Sequence, residues 1–184
     1  TTEIYTLSLH DALPIYTTDP ARSNSGNMFA ALLANSLNGG KTVDDEAIYH
    51  ILPDLKKIFA QTGYMETSSS DLFNQFLRMG VGAKPIIAGY ESQLLEYAAE
   101  YPDDYAKISG DIVVIYPTPT VWSAHVYIAL DEDGKAGIEA LTDPEVQRLA
   151  WEKHGFRTSS SGVVSGEITV SGIPENITSV MNIP

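Results

Sequence analysis

The chain is 184 residues long and carries 24 acidic against 11 basic side chains, a formal charge of −13. It has no cysteine, which excludes disulfides and thiolate metal sites, and no apolar run reaches the roughly 18 residues that a membrane-spanning helix needs. The acidic balance argues against nucleic acid, whose phosphates it would repel. A small anion stays open, because charge is screened beyond about 8 Å and a local set of donors can override the global field.

In chain order, Thr6 to Ile15 reads TLSLHDALPI, which resembles the third-frame translation of a common sequencing-library adapter. Residues 1–15 are therefore set aside as a non-native segment. An adapter fused in frame implies that the native N-terminus is missing, so the lack of a signal peptide says nothing about localisation. Ile15–Thr18 reads as the tail of a strand. A helix follows from Ser25 or Gly26, with Phe29, Leu32, Leu33, Ser36 and Leu37 at the spacing of one buried stripe, closed by Gly39-Gly40. Asp44 to Gln61 reads as a helix that Pro53 splits into two pieces. Ser70 is placed to cap a helix over 71–79, with Leu72, Phe73, Phe76 and Leu77 on one face. Lys84–Ala88 is a short buried strand, and Tyr90–Glu100 a helix directly after it. Asp111–Tyr116 is the clearest strand, an apolar β-branched run suited to the middle of a sheet. Ala124–Leu130 follows as another strand, then helices over Gly134–Leu141 and 144–154; Glu167–Val170 is a last hint of strand. This alternation predicts an α/β fold with a parallel or mixed sheet flanked by helices.

Most motifs reduce to ordinary structure. Gly39-Gly40-Lys41-Thr42 is no phosphate loop, because Asn35 stands where the first glycine is required and a helix, not a strand, precedes it. Gly80-Val81-Gly82 is no dinucleotide fingerprint, with Pro85 in place of the third glycine. His50, His125 and His154 lie on separate elements without ligand spacing, so neither metal ligands nor catalytic residues are assigned and no cofactor is called for. Asp103-Asp104 and Asp131-Glu132-Asp133 read as solvated turns. Asn176-Ile177-Thr178 matches a glycosylation sequon, a pattern too common to carry weight.

One segment stands apart. Thr18-Asp19-Pro20-Ala21-Arg22-Ser23-Asn24-Ser25-Gly26-Asn27 sets three small polar side chains at a helix start directly after a strand. The first helical amides lack an internal partner and the macrodipole adds positive potential there. With Ser23, Asn24 and Ser25 they form a site for an oxyanion or carboxylate, provided several donors converge. The alternative is an ordinary cap worth about 1 kcal/mol of stability.

That segment, together with Ser-Ser-Ser-Asp-Leu-Phe (68–73), Gly-Tyr-Glu-Ser-Gln (89–93), Tyr-Pro-Thr-Pro-Thr-Val-Trp-Ser-Ala-His (116–125) and Asp-Pro-Glu-Val-Gln-Arg-Leu-Ala-Trp-Glu-Lys-His-Gly-Phe-Arg (143–157), resembles bacterial extracellular solute-binding proteins. These have the type 2 periplasmic-binding fold and serve ABC importers. The resemblance covers residues 16–184. It implies two α/β lobes closing over a ligand: 16–110 as the second lobe, 111–120 as the hinge strand, and 121–184 returning to an incomplete first lobe. It implies ligand contacts from Ser23, Asn24, Ser25, Gly26 and Asn27, and more weakly from Ser69, Ser70, Tyr90, Glu91, Tyr116 and Trp122. The two hinge aromatics could equally pack the lobe core, and Glu91 could simply favour its helix start. The implied protein is a non-enzymatic monomer outside the cytoplasm, periplasmic or lipid-anchored. Its partners would be a small solute and a membrane permease. A sensing domain of the same fold is the alternative, and a serine-dependent hydrolase a third.

Overall fold

The structure is a computed structural model in which residues 14–157 and 170–183 are described. The fold is α/β: seven α-helices and four two-residue strands among the described residues, with the strands in two parallel pairs. The chain divides into two compact units, with the main division at Gly89–Tyr90. Among the described residues the parallel or mixed sheet expected from the pattern is represented by these two parallel ladders.

The first unit holds residues 14–38 and Val43–Gly89. β1 (Ile15–Tyr16) pairs with β2 (Ile86–Ile87), Ile15 facing Ile86; Ile15, set aside with the adapter-like stretch, thus enters the ladder. α1 (Asn24–Leu37) packs on α2 (Ala47–Gln61). The stripe expected on α1 is corrected. Met28, Ala34 and Asn35 are its buried side chains, while Ser36 and Leu37 are exposed. Asn35 is buried for a polar reason, its Oδ1 accepting the Val43 amide at 3.0 Å. Gly39 and Gly40, in the left-handed region at φ 69° and 79°, do end the helix.

α2 is continuous, against the expected break. Pro53 sits inside it, and the carbonyl its missing amide leaves open belongs to Tyr49, 78% exposed, where solvent can satisfy it,. α3 (Ser69–Met79) begins two residues before the expected start: Ser68, not Ser70, is the cap, accepting the Asp71 amide at 3.3 Å. Its Leu72 is almost fully buried, and the Phe73 and Phe76 rings stack with centroids 6.5 Å apart. A 3-10 turn (Gly80–Gly82) leads to β2.

The second unit holds Gly39–Thr42 and the described residues from Tyr90 onward. α4 (Glu91–Glu100) packs on α5 (Pro102–Ile108) and on α7 (Pro144–His154), which also touches α6 (Glu132–Thr142). Leu94, Leu95, Ala98 and Trp151 are the buried side chains of these helices. α7 ends in a Schellman pattern: the Phe156 amide reaches Ala150 O and the Gly155 amide Trp151 O,. Gly155 has φ 65°, and a Cβ there would lie 2.6 Å from Leu95 Cβ, so the residue must be glycine for α4 and α7 to meet,.

The two acidic clusters read as solvated turns are instead helix starts. Pro102 with Asp103-Asp104 opens α5, and Asp131 caps α6 by accepting the Gly134 amide, with Glu132 and Asp133 in the first turn. Carboxylates there face unpaired amides and the positive end of the dipole.

The two clearest strand expectations fail. Residues 112–117 and 122–130 join no ladder among the described residues. Val113, Ile115, Val126, Ile128 and Leu130 are 72–92% exposed. The ladder of this unit joins β3 (Thr120–Val121) to β4 (Val180–Met181). A β-branched run states a preference for extended backbone, but a strand exists only with a neighbour to bond. The strand read at 167–170 lies outside the described residues up to Val170, which is buried. No helix among the described residues is long and apolar enough to cross a membrane.

Candidate functional site

Where β1 runs out, the chain makes one tight turn and starts α1. Asp19 organises it: its Oδ1 accepts the Ala21 amide at 2.8 Å, and its carbonyl accepts those of Arg22 and Ser23 at 3.1 and 2.9 Å. Ser23 is the extended N-cap residue, and its carbonyl takes the Asn27 amide at 3.0 Å. Its hydroxyl does not cap the helix. It lies 2.8 Å from Ser25 Oγ, which is in turn 2.6 Å from Thr18 Oγ1, a chain of three hydroxyls anchored on the buried Thr18. Gly26 is buried against the strand end: a Cβ there would collide with Thr18 O and come within 2.8 Å of Asp19 O. Asn24 and Asn27 are exposed, Asn24 with its Nδ2 3.5 Å from Met28 Sδ.

The consequence is a helix terminus left without compensation. α1 has no side-chain cap and no acidic residue in its first turn. Among the other α-helices of this acidic chain, α3, α6 and α7 are capped by Ser68, Asp131 and Asp143. α4 and α5 carry Glu91 and Asp103-Asp104 in their first turns. The amides of Glu46 and Ala47 at α2 both bond Asp44 Oδ1. The first turn of α1 therefore offers backbone N–H groups and positive potential with no carboxylate of its own to meet them.

Ser69 and Ser70 fall in the first turn of α3, in the same unit, half-buried and exposed respectively. They are helix-start residues rather than a free loop.

The remaining expected residues lie in the second unit. Tyr90 precedes α4, its amide bonded to Gln93 Oε1 at 3.2 Å. Glu91 is engaged within the protein: Oε1 accepts from Arg157 Nε at 2.6 Å, and Oε2 accepts from Arg157 Nη2 and from the Tyr116 hydroxyl, each at 3.1 Å. Arg157, with a side chain only 4% exposed, also donates to the carbonyls of Pro174 and Glu175 and lies over the Trp151 ring. Burial, and then the neighbouring Glu91 charge, push the Tyr116 hydroxyl well above the usual tyrosine range, Arg157 opposing them. The polar groups of Glu91 and Tyr116 thus meet each other and Arg157. Trp122 is partly exposed, 36%, on the irregular segment after β3.

Sequence reasoning missed Arg157 as the hub of this network, although its Gly-Phe-Arg context was noticed. It also missed a buried pair in the first unit, Lys84 Nζ 3.7 Å from Glu66 Oε1. Neither pairing has a sequence signal, since the partners are far apart along the chain. No group of three or more metal-ligating side chains occurs among the described residues. Compared with protein-family models, curated proteins and solved structures, the chain shows no match.

Proposed function

We propose that the chain is part of an extracytoplasmic solute-binding protein of the ABC-importer type, taking a small oxyanion or carboxylate at the start of α1. One observation carries this reading: in a chain of charge −13, α1 begins with neither a side-chain cap nor a first-turn acid. A ligand carboxylate or oxyanion would accept from the amides of Asn24, Ser25 and Gly26, with the Ser23 and Ser25 hydroxyls beside them. The type 2 periplasmic-binding architecture, the delivery of solute to a permease and cleft closure belong to this reading through the resemblance stated above. Closure would follow from ligand contacts satisfied together only in the closed state. The hydrolase alternative would need a histidine that meets a serine; His154 Nδ1 meets Glu96 at 2.7 Å and the His125 ring packs edge-on to Phe156, which favours the binding reading over it.

The test is titration of the chain with inorganic phosphate, sulfate and succinate, with glucose as the neutral control, followed by melting temperature and by the amide resonances of Asn24–Asn27. A ligand at 100 times its dissociation constant stabilises by about 2.7 kcal/mol, which a melting curve resolves. At least one anion should raise the melting temperature and move those amides. If no anion does while glucose does, the anion-binding reading is wrong.

A further inference from the structure

We infer that Lys84 and Glu66 are positioning residues for the first turn of α1, an ion pair that holds the floor on which that turn rests. The inference depends on the α1 terminus being the ligand site for its functional meaning, but not for its test.

The geometry starts from β1. Tyr16 O accepts the Ala88 amide at 2.9 Å on the β2 side, whereas the Asp19 amide donates to Glu66 O at 2.8 Å, with Thr18 bridged to Glu66 in parallel. In an extended chain successive residues turn their peptide groups to opposite sides. Tyr16 and Asp19 are an odd number apart, so β2 and Glu66 flank β1 on opposite sides. Lys84, two residues before β2, sends its ammonium across the strand: Nζ lies 4.5 Å from the centroid of the Tyr16 ring and 3.7 Å from Glu66 Oε1. Gln75 of α3 donates to the same oxygen at 2.8 Å. The side chains of Lys84 and Glu66 are 8% and 15% exposed.

Glu66 is therefore fixed by its side chain and acts through its main chain. Its carbonyl holds Asp19, the Asp19 carbonyl holds the amides of Arg22 and Ser23, and Gly26 presses on Thr18 and Asp19. Removing one member of a buried pair leaves the other as an uncompensated charge that must move to water. If Glu66 turns outward, its main chain releases Asp19 and the α1 start loses its register.

Hydrogen exchange on the full chain tests this. Lys84→Met keeps the apolar stem and strands the Glu66 charge. The expected result is exchange about tenfold faster at Asp19, Ser23 and Asn27, with Gly155 and Phe156 of the second unit unchanged. In the double variant K84M/E66Q the introduced amide keeps the hydrogen bond from Gln75 without a charge, and these amides should return to within about threefold of the parent. If Lys84→Met does not fold, Glu66→Gln alone, which strands the Lys84 charge, should accelerate the same three amides. Unchanged exchange, equal acceleration throughout α2, or no recovery in the double variant would overturn the inference. Where phosphate binds the parent chain, Lys84→Met should weaken it and K84M/E66Q restore it. Where phosphate does not bind, the exchange pattern still decides the positioning role, while the anion-site reading fails by itself.

Discussion

The Tyr116 hydroxyl shows how one side chain can tie stability to pH. Burial and the Glu91 carboxylate hold its proton in the folded chain, while in the unfolded chain the phenol ionises near pH 10. Because the folded pKa is the higher one, the stabilisation is intact below about pH 10. It is lost as pH rises beyond that, when the unfolded state releases its proton first. Tyr116→Phe should therefore show a shallower fall of the urea midpoint between about pH 9 and 11 than the parent chain. Coincident slopes would mean that the hydroxyl titrates alike in both states. At this scale, what sequence could reveal was local. The helix start at Ser23, Asn24 and Ser25 was legible because it is decided by neighbours within a few residues. Glu91 with Tyr116 was half legible: each residue stood out, but Arg157, which binds Glu91, could be paired with it only once the chain had folded.

Helices were read far better than strands, and the reason is physical. The bonds of a helix run between near neighbours, so α4, α6 and α7 were found within about two residues,. The exception was α5, whose Pro102-Asp103-Asp104 start is a helix signal that was taken for a turn,. A strand needs a partner that its own residues do not specify. The strands read at Ile15–Thr18 and Lys84–Ala88 do pair, as β1 and β2; Asp111–Tyr116 and Ala124–Leu130 have the composition, yet the ladder of the second unit formed at the less conspicuous Thr120–Val121 and Val180–Met181. Pro53 belongs to the same scale. α2 runs through it at the cost of one backbone bond, on a face where Tyr49 and Pro53 are both exposed. Pro53→Ala should restore that bond and raise unfolding stability by about 1–3 kcal/mol, proline's restriction of the unfolded chain offsetting part of the gain. A loss of stability in chemical denaturation would mean that the ring packs against something essential.

Across the whole molecule, charge and exposed apolar surface oppose one another. The stretch from Ile112 to Leu130 contains no Asp, Glu, Lys or Arg, and five of its aliphatic side chains stand well out of the protein on segments that join no ladder among the described residues. Such segments favour edge-to-edge association. The net charge of −13 opposes it, by a repulsion whose range shrinks from about 10 Å at 0.1 M salt to about 3 Å at 1 M. Light scattering of concentrated protein should accordingly rise with sodium chloride, and Ile128→Lys should suppress that rise. Scattering that ignores both would place the association surface elsewhere. The two parallel ladders carry a different consequence, one of timing. Each closes only after a long excursion of chain, from Tyr16 to Ile87 and from Val121 to Met181. Loop closure must be met before such distant contacts repay it. Helical turns that need only local contacts can therefore form early in folding, whereas the ladders, and with them the strand end on which α1 starts, are expected to assemble last.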